Sequence, residues 1–255
     1  MSDGLVAGQV AVVTGAGSGI GRASALLLAE EGATAVAVCD VREEAARETA
    51  AMVEELGAKS LAVAADLADL AAAEQFVSAA YQEFGALHAA VNCAGVNGPL
   101  KAIGEYSDDE WSAVSAVNLD AVFRCMRTEV NLMTAGGGGA IVNISSGSAV
   151  DPIPNMAVYT ATKTGVLGLT RAAAGEYVKH NIRINAVLPG ATLTRMLEAH
   201  AQTEQGKKQV ANAPMGRWGD PREIAQAVVW LLSPRSSYIT GVELLVDGGS
   251  HAFWY

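Results

Sequence analysis

Tyr159 and Lys163 lie four residues apart, a spacing that places them on one face of a helix, one turn from each other. A phenol with its ordinary pKa of about 10 is protonated near neutral pH and is a poor base. An adjacent ammonium group is expected to stabilise the phenolate and lower that pKa. The pair could then exchange a proton with a substrate oxygen. The same spacing also occurs in ordinary exposed helix pairs, so its context must decide.

Ser146 supplies part of that context. It stands thirteen residues before Tyr159 and follows the apolar run Ile141-Val142-Asn143-Ile144-Ser145. This predicts a position at the carboxyl end of a strand, where open α/β sheets bind their ligands. Ser145 comes directly before it, so the pattern by itself does not separate the two hydroxyls.

A glycine-rich segment follows the first apolar run, with the sequence Thr14-Gly15-Ala16-Gly17-Ser18-Gly19-Ile20-Gly21, and a helix rich in alanine and leucine comes after it. In a strand–turn–helix unit, backbone N–H groups and the positive helix end can hold a pyrophosphate. The spacing is G-x-x-x-G-x-G, with two more residues in the turn than the usual G-x-G-x-x-G. A tight turn without a ligand is the structural alternative.

Asp40 ends the second apolar run, nineteen residues after Gly21. An acid at that distance is typical of a site that binds the hydroxyls of an adenosine ribose. Its charge repels a 2′-phosphate, which favours NAD over NADP. Arg42 lies two residues on and could partly offset this preference.

These residues would be positioned by strands that alternate with helices. The apolar runs are almost continuous, as expected for parallel strands covered on both faces: Val10–Val13, Ala35–Cys39, Leu61–Ala65, Leu87–Val91, Ala140–Ile144, Ile182–Leu188 and Val242–Val246. Helix starts are indicated by Ser107 with Glu110 and by Asp220-Pro221 with Glu223. The predicted fold is α/β, a single doubly wound (Rossmann) domain over residues 1–255, whose seven-stranded parallel sheet has helices on both faces.

Two segments depart from the alternation. Residues 191–218 are polar and weakly periodic, which predicts a substrate lid. The tail, residues 250–255, ends in three aromatic residues although aromatics make up only 5% of the chain. We expect the tail to pack against the body or against a second subunit.

Composition excludes several classes of protein. The net charge of −10 opposes binding to nucleic acid, and no apolar run reaches the roughly 18 residues that span a membrane. The three cysteines contain no C-x-x-C pair and the four histidines are scattered, so neither a disulfide framework nor a metal site is predicted. The N-terminus lacks a signal-peptide pattern. A cytoplasmic location with reduced thiols follows.

Taken in order, these elements resemble the short-chain dehydrogenase/reductase family over about residues 8–249. The resemblance rests on Thr14-Gly15-x-x-x-Gly19-Ile20-Gly21, Asp66, Asn92-Cys93-Ala94-Gly95, Asn118, Ser146, Tyr159-x-x-x-Lys163 and Pro189-Gly190. Cys93 departs from the asparagine that is common at its position, whereas Asn92 and the small Ala94-Gly95 pair remain.

The resemblance implies a role for each site residue. Ser146 would hold the substrate oxygen beside Tyr159, and Lys163, with the charge of an oxidised nicotinamide, would lower the tyrosine pKa and bind the nicotinamide ribose. Asn118 would anchor a water that links Lys163 to solvent. The remaining cofactor contacts would come from Gly15, Ser18, Gly19, Ile20, Gly21, Asp40, Asp66, Leu67, Asn92, Ala94, Gly95, Pro189, Gly190, Thr192 and Thr194.

The predicted activity is hydride transfer between NAD(H) and a secondary alcohol or ketone, with Tyr159 as general acid and base. One alternative is a 3-oxoacyl thioester reductase, which would ordinarily prefer NADPH, and Asp40 argues against it. Another is a dinucleotide-binding sensor without turnover, for which the four residues Asn118, Ser146, Tyr159 and Lys163 would be unnecessary. The family usually forms dimers or tetramers, and we expect a homotetramer. Mixed apolar residues suggest a pocket for a cyclic or aryl-alkyl alcohol: Val96, Leu100, Val150, Met156, Met196 and Leu197.

Overall fold

The computed structural model describes residues 4–69, 71–212 and 214–251. Within them, a parallel sheet has the strand order β3-β2-β1-β4-β5-β6-β7. The strands are β1 Val10–Thr14, β2 Ala35–Asp40, β3 Lys59–Ala64, β4 Ala89–Asn92, β5 Gly139–Ile144, β6 Ile182–Pro189 and β7 Glu243–Val246. The chain reverses its direction of progress across the sheet between β1 and β4, the position at which open α/β sheets form their binding crevice.

The helices connect these strands in chain order. They are α1 Gly19–Glu30, α2 Glu43–Glu55, α3 Ala72–Phe84, α4 Asp108–Ser115, α5 Ala121–Gly136, α6 Ala157–Tyr177, α7 Arg195–Ala201, α8 Glu204–Asn212 and α9 Pro221–Leu232. A π-helical turn, Ala116–Asp120, joins α4 to α5. Such single turns occur often at functional sites.

Two apolar cores form because successive strand side chains point to opposite faces. In β1, Ala11 and Val13 pack with the α1 and α9 side chains on one face. Val12 packs on the other face with Phe76 of α3 and Met133 of α5. Both faces of the central strands are therefore buried, which explains their nearly continuous apolar sequences.

The predicted fold is confirmed as a seven-stranded parallel sheet in a single domain. All seven apolar runs form strands, although β3 begins two residues earlier than predicted, at Lys59, and β4 begins two later, at Ala89. Both capping boxes are present, at Ser107 with Glu110 and at Asp220 with Glu223. The polar stretch 191–218 contains α7 and α8, and its role as a lid stays a prediction.

None of the helices that the structure describes is both long and apolar enough to span a lipid bilayer.

Candidate active site

The glycine-rich turn after β1 has no room for side chains at two of its positions, Gly15 and Gly21. Gly15 and Gly19 have φ values of +64° and +54°, which favour glycine. A Cβ on Gly15 would lie 2.8 Å from the Ala94 Cα, and one on Gly21 would lie 2.3 Å from the Gly15 carbonyl oxygen. The Ser18 side chain does not cap α1, so the N–H groups of its first turn have no capping oxygen. This cradle fits a pyrophosphate.

Asp40 lies against the cradle. Its Oδ2 accepts a hydrogen bond from the Gly17 N–H at 2.9 Å and its Oδ1 accepts one from the Arg42 N–H at 3.0 Å. The Arg42 guanidinium is 3.4 Å from Oδ1 through Nε and also reaches the Ser18 hydroxyl at 3.4 Å. The structure thus brings the predicted ribose-binding acid and the phosphate turn together, with one arginine beside both.

The loops after β3 and β4 form the next part of the crevice. Asp66 is exposed and accepts a hydrogen bond from the Ala68 N–H at 2.9 Å, while the neighbouring Leu67 is buried. The Thr14 hydroxyl accepts hydrogen bonds from the N–H groups of Cys93 and Ala94 at 3.0 and 3.2 Å. The loop after β4 therefore lies beside the phosphate turn, and its cofactor contacts stay a prediction.

Asn92 is placed differently from its predicted cofactor contact. Its amide donates to Glu129 Oε2 and to Asn143 Oδ1, both at 3.0 Å, and the side chain is 2% exposed. Asn143 in turn donates to the Thr170 hydroxyl at 2.9 Å. The Asn92 side chain thus belongs to a buried polar network between β4, β5, α5 and α6, because its strand position points it into that layer.

The residues after β6 close the crevice from the opposite side. Thr192 is buried and its hydroxyl donates to the Gly190 carbonyl at 3.1 Å. The Thr194 side chain lies over Gly19, where a Cβ would meet its Cγ2 at 3.1 Å. Pro189, at the end of β6, and Thr194 therefore border the same crevice as the phosphate turn.

Ser146 and Tyr159 meet at the carboxyl end of β5. Ser146 precedes a short 3-10 turn, and its hydroxyl lies close enough to the Tyr159 side chain to lower the pKa of the phenol. The Ser148 hydroxyl donates to Ser146 Oγ at 3.0 Å. Ser145 instead is buried and donates to the Lys163 carbonyl at 2.8 Å. The two serines are thus distinguished by what their hydroxyls contact.

Lys163 is held beneath the tyrosine by β5. Its Nζ donates to the Ile144 carbonyl at 3.0 Å and lies 5.9 Å from the centre of the Tyr159 ring, and the residue is 3% exposed. Gly95 adjoins it, because a Cβ there would lie 3.2 Å from Lys163 Nζ and 3.3 Å from Asn118 Oδ1. The fold therefore brings together the four predicted catalytic residues, Asn118, Ser146, Tyr159 and Lys163.

Burial governs the pKa values of Tyr159 and Lys163. Burial raises the pKa of Tyr159, and the hydrogen bond with Ser146 lowers it only in part. Burial likewise lowers the pKa of Lys163 to about 8. Burial therefore sets the direction of both shifts in the chain by itself, and the lowering of the Tyr159 pKa by Lys163 together with an oxidised nicotinamide stays a prediction.

Asp247 and His251 also lie at this edge of the sheet, although no sequence motif marked them as site residues. A Cβ on Gly147, the residue after Ser146, would lie 2.6 Å from His251 Cε1 and 3.1 Å from its Nε2. Asp247 Oδ2 bonds His251 Nδ1 at 2.5 Å, and the Asp247 backbone packs against Gly190. Their position directly after the last strand was the available signal, since all parallel strands end at this edge. The aromatic residues 253–255 lie outside the described residues.

Comparisons with known proteins agree with this geometry. Residues 15–251 match the family model described as enoyl-(acyl carrier protein) reductase. The chain is 44% identical to cyclohexanol dehydrogenase of Acinetobacter sp. (strain SE19) over 240 residues, 94% of each chain.

Two solved structures share the fold closely. The crystal structure of levodione reductase has a TM-score of 0.93 at 35% identity and covers 96% of this chain and 98% of that one. Carveol dehydrogenase from Mycobacterium avium, in complex with NAD, has a TM-score of 0.92 at 32% identity and covers 98% of this chain and 100% of that one. The chain belongs to the short-chain dehydrogenase/reductase family of nicotinamide-dependent oxidoreductases that act on CH–OH groups.

Proposed function

We propose that this protein is an NAD(H)-dependent oxidoreductase of cyclic secondary alcohols and their ketones, with Tyr159 as general acid and base. The observation that carries the proposal is the position of Tyr159 beside Ser146, with its ring centre 5.9 Å from the Nζ of the buried Lys163. Two hydroxyls side by side at the end of a sheet can hold one substrate oxygen and exchange a proton with it. A sensor without turnover would gain nothing from burying a lysine there.

Each residue has a distinct task in the proposed mechanism. Ser146 donates a hydrogen bond to the substrate oxygen and keeps it beside the Tyr159 hydroxyl. Tyr159 gives its proton to that oxygen in reduction and takes it back in oxidation, and Lys163 stabilises the phenolate that remains. Asn118 lies behind Lys163, where it fits the predicted proton path to solvent. The bound nicotinamide supplies or accepts the hydride at the substrate carbon.

NAD is the proposed cofactor form. Asp40 places a carboxylate 2.9 Å from the Gly17 N–H of the phosphate turn, where it would accept bonds from the ribose hydroxyls and repel a 2′-phosphate. The rest of the NAD molecule would be held by the glycine cradle and by residues of three loops: Asp66, Leu67, Ala94, Gly95, Pro189, Thr192 and Thr194. Asn92 would act through the shape of its loop, because its side chain points away from the crevice.

A cyclic substrate is supported by the relatives and by the side chains around the site. Cyclohexanol dehydrogenase and levodione reductase are both named for ring compounds. Val96 and Val150 stand in the loops that follow Gly95 and Ser146, and they are 40% and 47% exposed. Their apolar surfaces suit a hydrocarbon ring better than a sugar. The Met196 side chain lies outside the described residues.

The test is an NAD-reduction screen over cyclic, aryl-alkyl and linear secondary alcohols, with 3-hydroxyacyl thioesters included. We expect the highest kcat/KM for a cyclic alcohol, and we expect Tyr159→Phe to lose nearly all turnover while keeping its NADH affinity. Preference for a thioester would favour the 3-oxoacyl thioester reductase. Full activity in Tyr159→Phe would overturn the mechanism.

We further propose a homotetramer in the cytoplasm. Trp111 and Phe123, on α4 and α5, are 50% and 42% exposed and offer apolar surface for association. Cys39, Cys93 and Cys125 are unpaired, which suits a reducing compartment. Light scattering of the purified protein, with and without residues 251–255, would give the number of subunits and the contribution of the tail.

A further inference from the structure

His251 is an oriented imidazole next to the predicted substrate oxygen. Asp247 Oδ2 bonds its Nδ1 at 2.5 Å and its backbone N–H at 2.9 Å. The two side chains are only 15% and 9% exposed. Burial raises the pKa of the Asp247 carboxyl, but the hydrogen bonds from His251 and Gly249 outweigh burial and hold that pKa below its ordinary value. The pair is therefore a fixed carboxylate–imidazole unit.

The surroundings place this unit at the substrate end of the crevice. The imidazole packs on Gly147, which directly follows Ser146, and the Pro189 carbonyl lies 3.5 Å from the same would-be Cβ. Met215, from the end of the predicted lid, packs on Gly248 at 3.4 Å from its would-be Cβ. The imidazole thus stands between the ends of β5 and β6, beside the lid, while the Asp247 backbone packs on Gly190.

One nitrogen of the ring is available to a ligand. A carboxylate accepts hydrogen bonds only, so Nδ1 carries the proton that Asp247 binds. In the neutral ring, Nε2 is then an acceptor. Among the residues that the structure describes, Nε2 has no hydrogen-bond partner. The acid orients the ring, and its Nε2 lies 3.1 Å from the would-be Cβ of Gly147, the residue after Ser146.

We propose that His251, positioned by Asp247, determines substrate specificity by accepting a hydrogen bond from a second hydroxyl group of the substrate. The reacting oxygen would lie between Ser146 and Tyr159, whereas His251 packs against Gly147, the residue after Ser146. The preferred substrates are therefore ring alcohols with another hydroxyl away from the reacting carbon, that is, cyclic diols. This inference rests on the oxidoreductase activity proposed above.

The test compares matched substrates in matched variants. Kinetics with NAD are measured for cyclohexanol, for the isomeric cyclohexane-1,2-, 1,3- and 1,4-diols, and for the monomethyl ether of the best diol. We expect one diol to exceed cyclohexanol in kcat/KM, and its methyl ether to lose that advantage. His251→Ala should lower kcat/KM for this diol by about 10- to 100-fold, mainly through KM, because a hydroxyl-binding partner is lost. The kcat/KM of His251→Ala for cyclohexanol should differ from that of the unmodified enzyme by less than about threefold.

Further variants separate recognition from folding. Asp247→Ala should lower kcat/KM for the diol by a smaller factor and again leave cyclohexanol nearly unaffected. The His251 imidazole is still present in this variant, but Asp247 no longer orients it. His180→Ala, at the far end of α6, is the matched control and should change nothing. Calorimetric binding of the diol and of cyclohexanol to Tyr159→Phe with NADH bound, with and without His251→Ala, gives a readout that needs no turnover.

Two results would overturn the inference: an equal loss for cyclohexanol and the diol in His251→Ala, or a diol affinity that does not depend on His251. An equal loss for both substrates would mean that Asp247 and His251 only stabilise the packing of the residues after β7 against β6. Absence of any alcohol turnover by the unmodified enzyme would instead contradict the proposed function, and the calorimetric comparison would still decide the role of His251.

Discussion

The side-chain amide of Asn118 bonds both backbone groups of Val96. Its Oδ1 accepts from the Val96 N–H at 2.8 Å, and its Nδ2 donates to the Val96 carbonyl at 2.9 Å. The same Nδ2 also donates to the Thr162 hydroxyl at 3.2 Å. Asn118 therefore ties the loop after β4 to the helix that carries Tyr159 and Lys163. Its polar atoms are used within the chain, so its side chain has a positioning role besides any water that its backbone holds.

Asn118→Ala should weaken cofactor binding as well as turnover. The variant removes two part-buried hydrogen bonds to the Val96 backbone, each of which contributes about 0.5–1.5 kcal/mol. We expect a lower melting temperature, kcat reduced at least about tenfold, and a clearly raised Kd for NADH, because Gly95 adjoins the cofactor crevice. Fluorescence titration and thermal unfolding would measure these effects.

The matched control for Asn118 is Thr134→Ala, which removes a hydrogen bond inside α5 far from the loop. It should leave the NADH affinity unchanged. An unaltered NADH affinity in Asn118→Ala, with kcat alone reduced, would show that Asn118 serves proton transfer without positioning the loop.

The neighbouring serines should respond differently to the same substitution. Ser146→Ala removes the hydroxyl beside Tyr159 and should lower kcat by about 100-fold or more with little change in melting temperature. Ser145→Ala removes the bond to the Lys163 carbonyl, so it should mainly reduce stability, by about 1–3 kcal/mol. Steady-state kinetics and thermal unfolding of both variants provide the comparison. Loss of turnover in Ser145→Ala alone would identify the other serine as the substrate-binding residue.

The sequence was sufficient for the fold because its signals were local. The apolar runs and the capping residues around Ser107 and Asp220 act over a few neighbours, so periodicity and capping predict them. The glycine turn and the Tyr159–Lys163 pair could also be recognised, because each is defined by the spacing of residues that are close together in the chain. The rule that parallel strands end at one edge of the sheet placed Ser146, whereas its approach to Tyr159 was implied by the family resemblance.

The features that the sequence did not predict depend on long-range packing. His251 reaches Gly147 only because β7 pairs with β6 and brings the chain end back to the site. Asn92 and Glu129 are 37 residues apart, and nothing in either segment marks them as partners. The effect of burial on the pKa of Tyr159 was not predicted, because the burial of both groups cannot be read from their spacing.

Asp40→Ser should shift the cofactor preference toward NADP. The change removes the carboxylate that accepts bonds from Gly17 and Arg42, and it leaves the Arg42 guanidinium, 41% exposed, beside the phosphate turn. A guanidinium there can pair with a 2′-phosphate. We expect the ratio of kcat/KM for NAD over NADP to fall by about 100-fold, mostly through KM.

The control for Asp40 is Asp69→Ser, which also loses an acid bonded to a backbone N–H two residues on. It should keep the original ratio. If Asp40→Ser also kept that ratio, the cofactor preference would have to come from elsewhere in the crevice.

Glu129 should make the stability of the protein depend on pH. Burial raises the pKa of this carboxyl to about 8 from an ordinary value of 4.5, while its hydrogen bond with Asn92 partly opposes the rise. Between these two values the folded chain keeps a proton that the unfolded chain releases. Raising the pH therefore favours unfolding, by up to about 1.4 kcal/mol for each pH unit. The contribution of the protonated Glu129 to the free energy of unfolding is fully present below about pH 4.5 and is lost as the pH rises through about 8.

Glu129→Gln keeps an acceptor for the Asn92 amide but cannot ionise. Its melting temperature should therefore fall less than that of the unmodified protein between about pH 5 and about pH 8.5. Glu176→Gln, at an exposed position on α6, is the control and should follow the unmodified curve. Parallel curves for Glu129→Gln and the unmodified protein would mean that Glu129 is already charged in the fold. A buried charge would then need a cation, and the described contacts of Glu129 give it only the amide of Asn92, so we expect the curves to diverge.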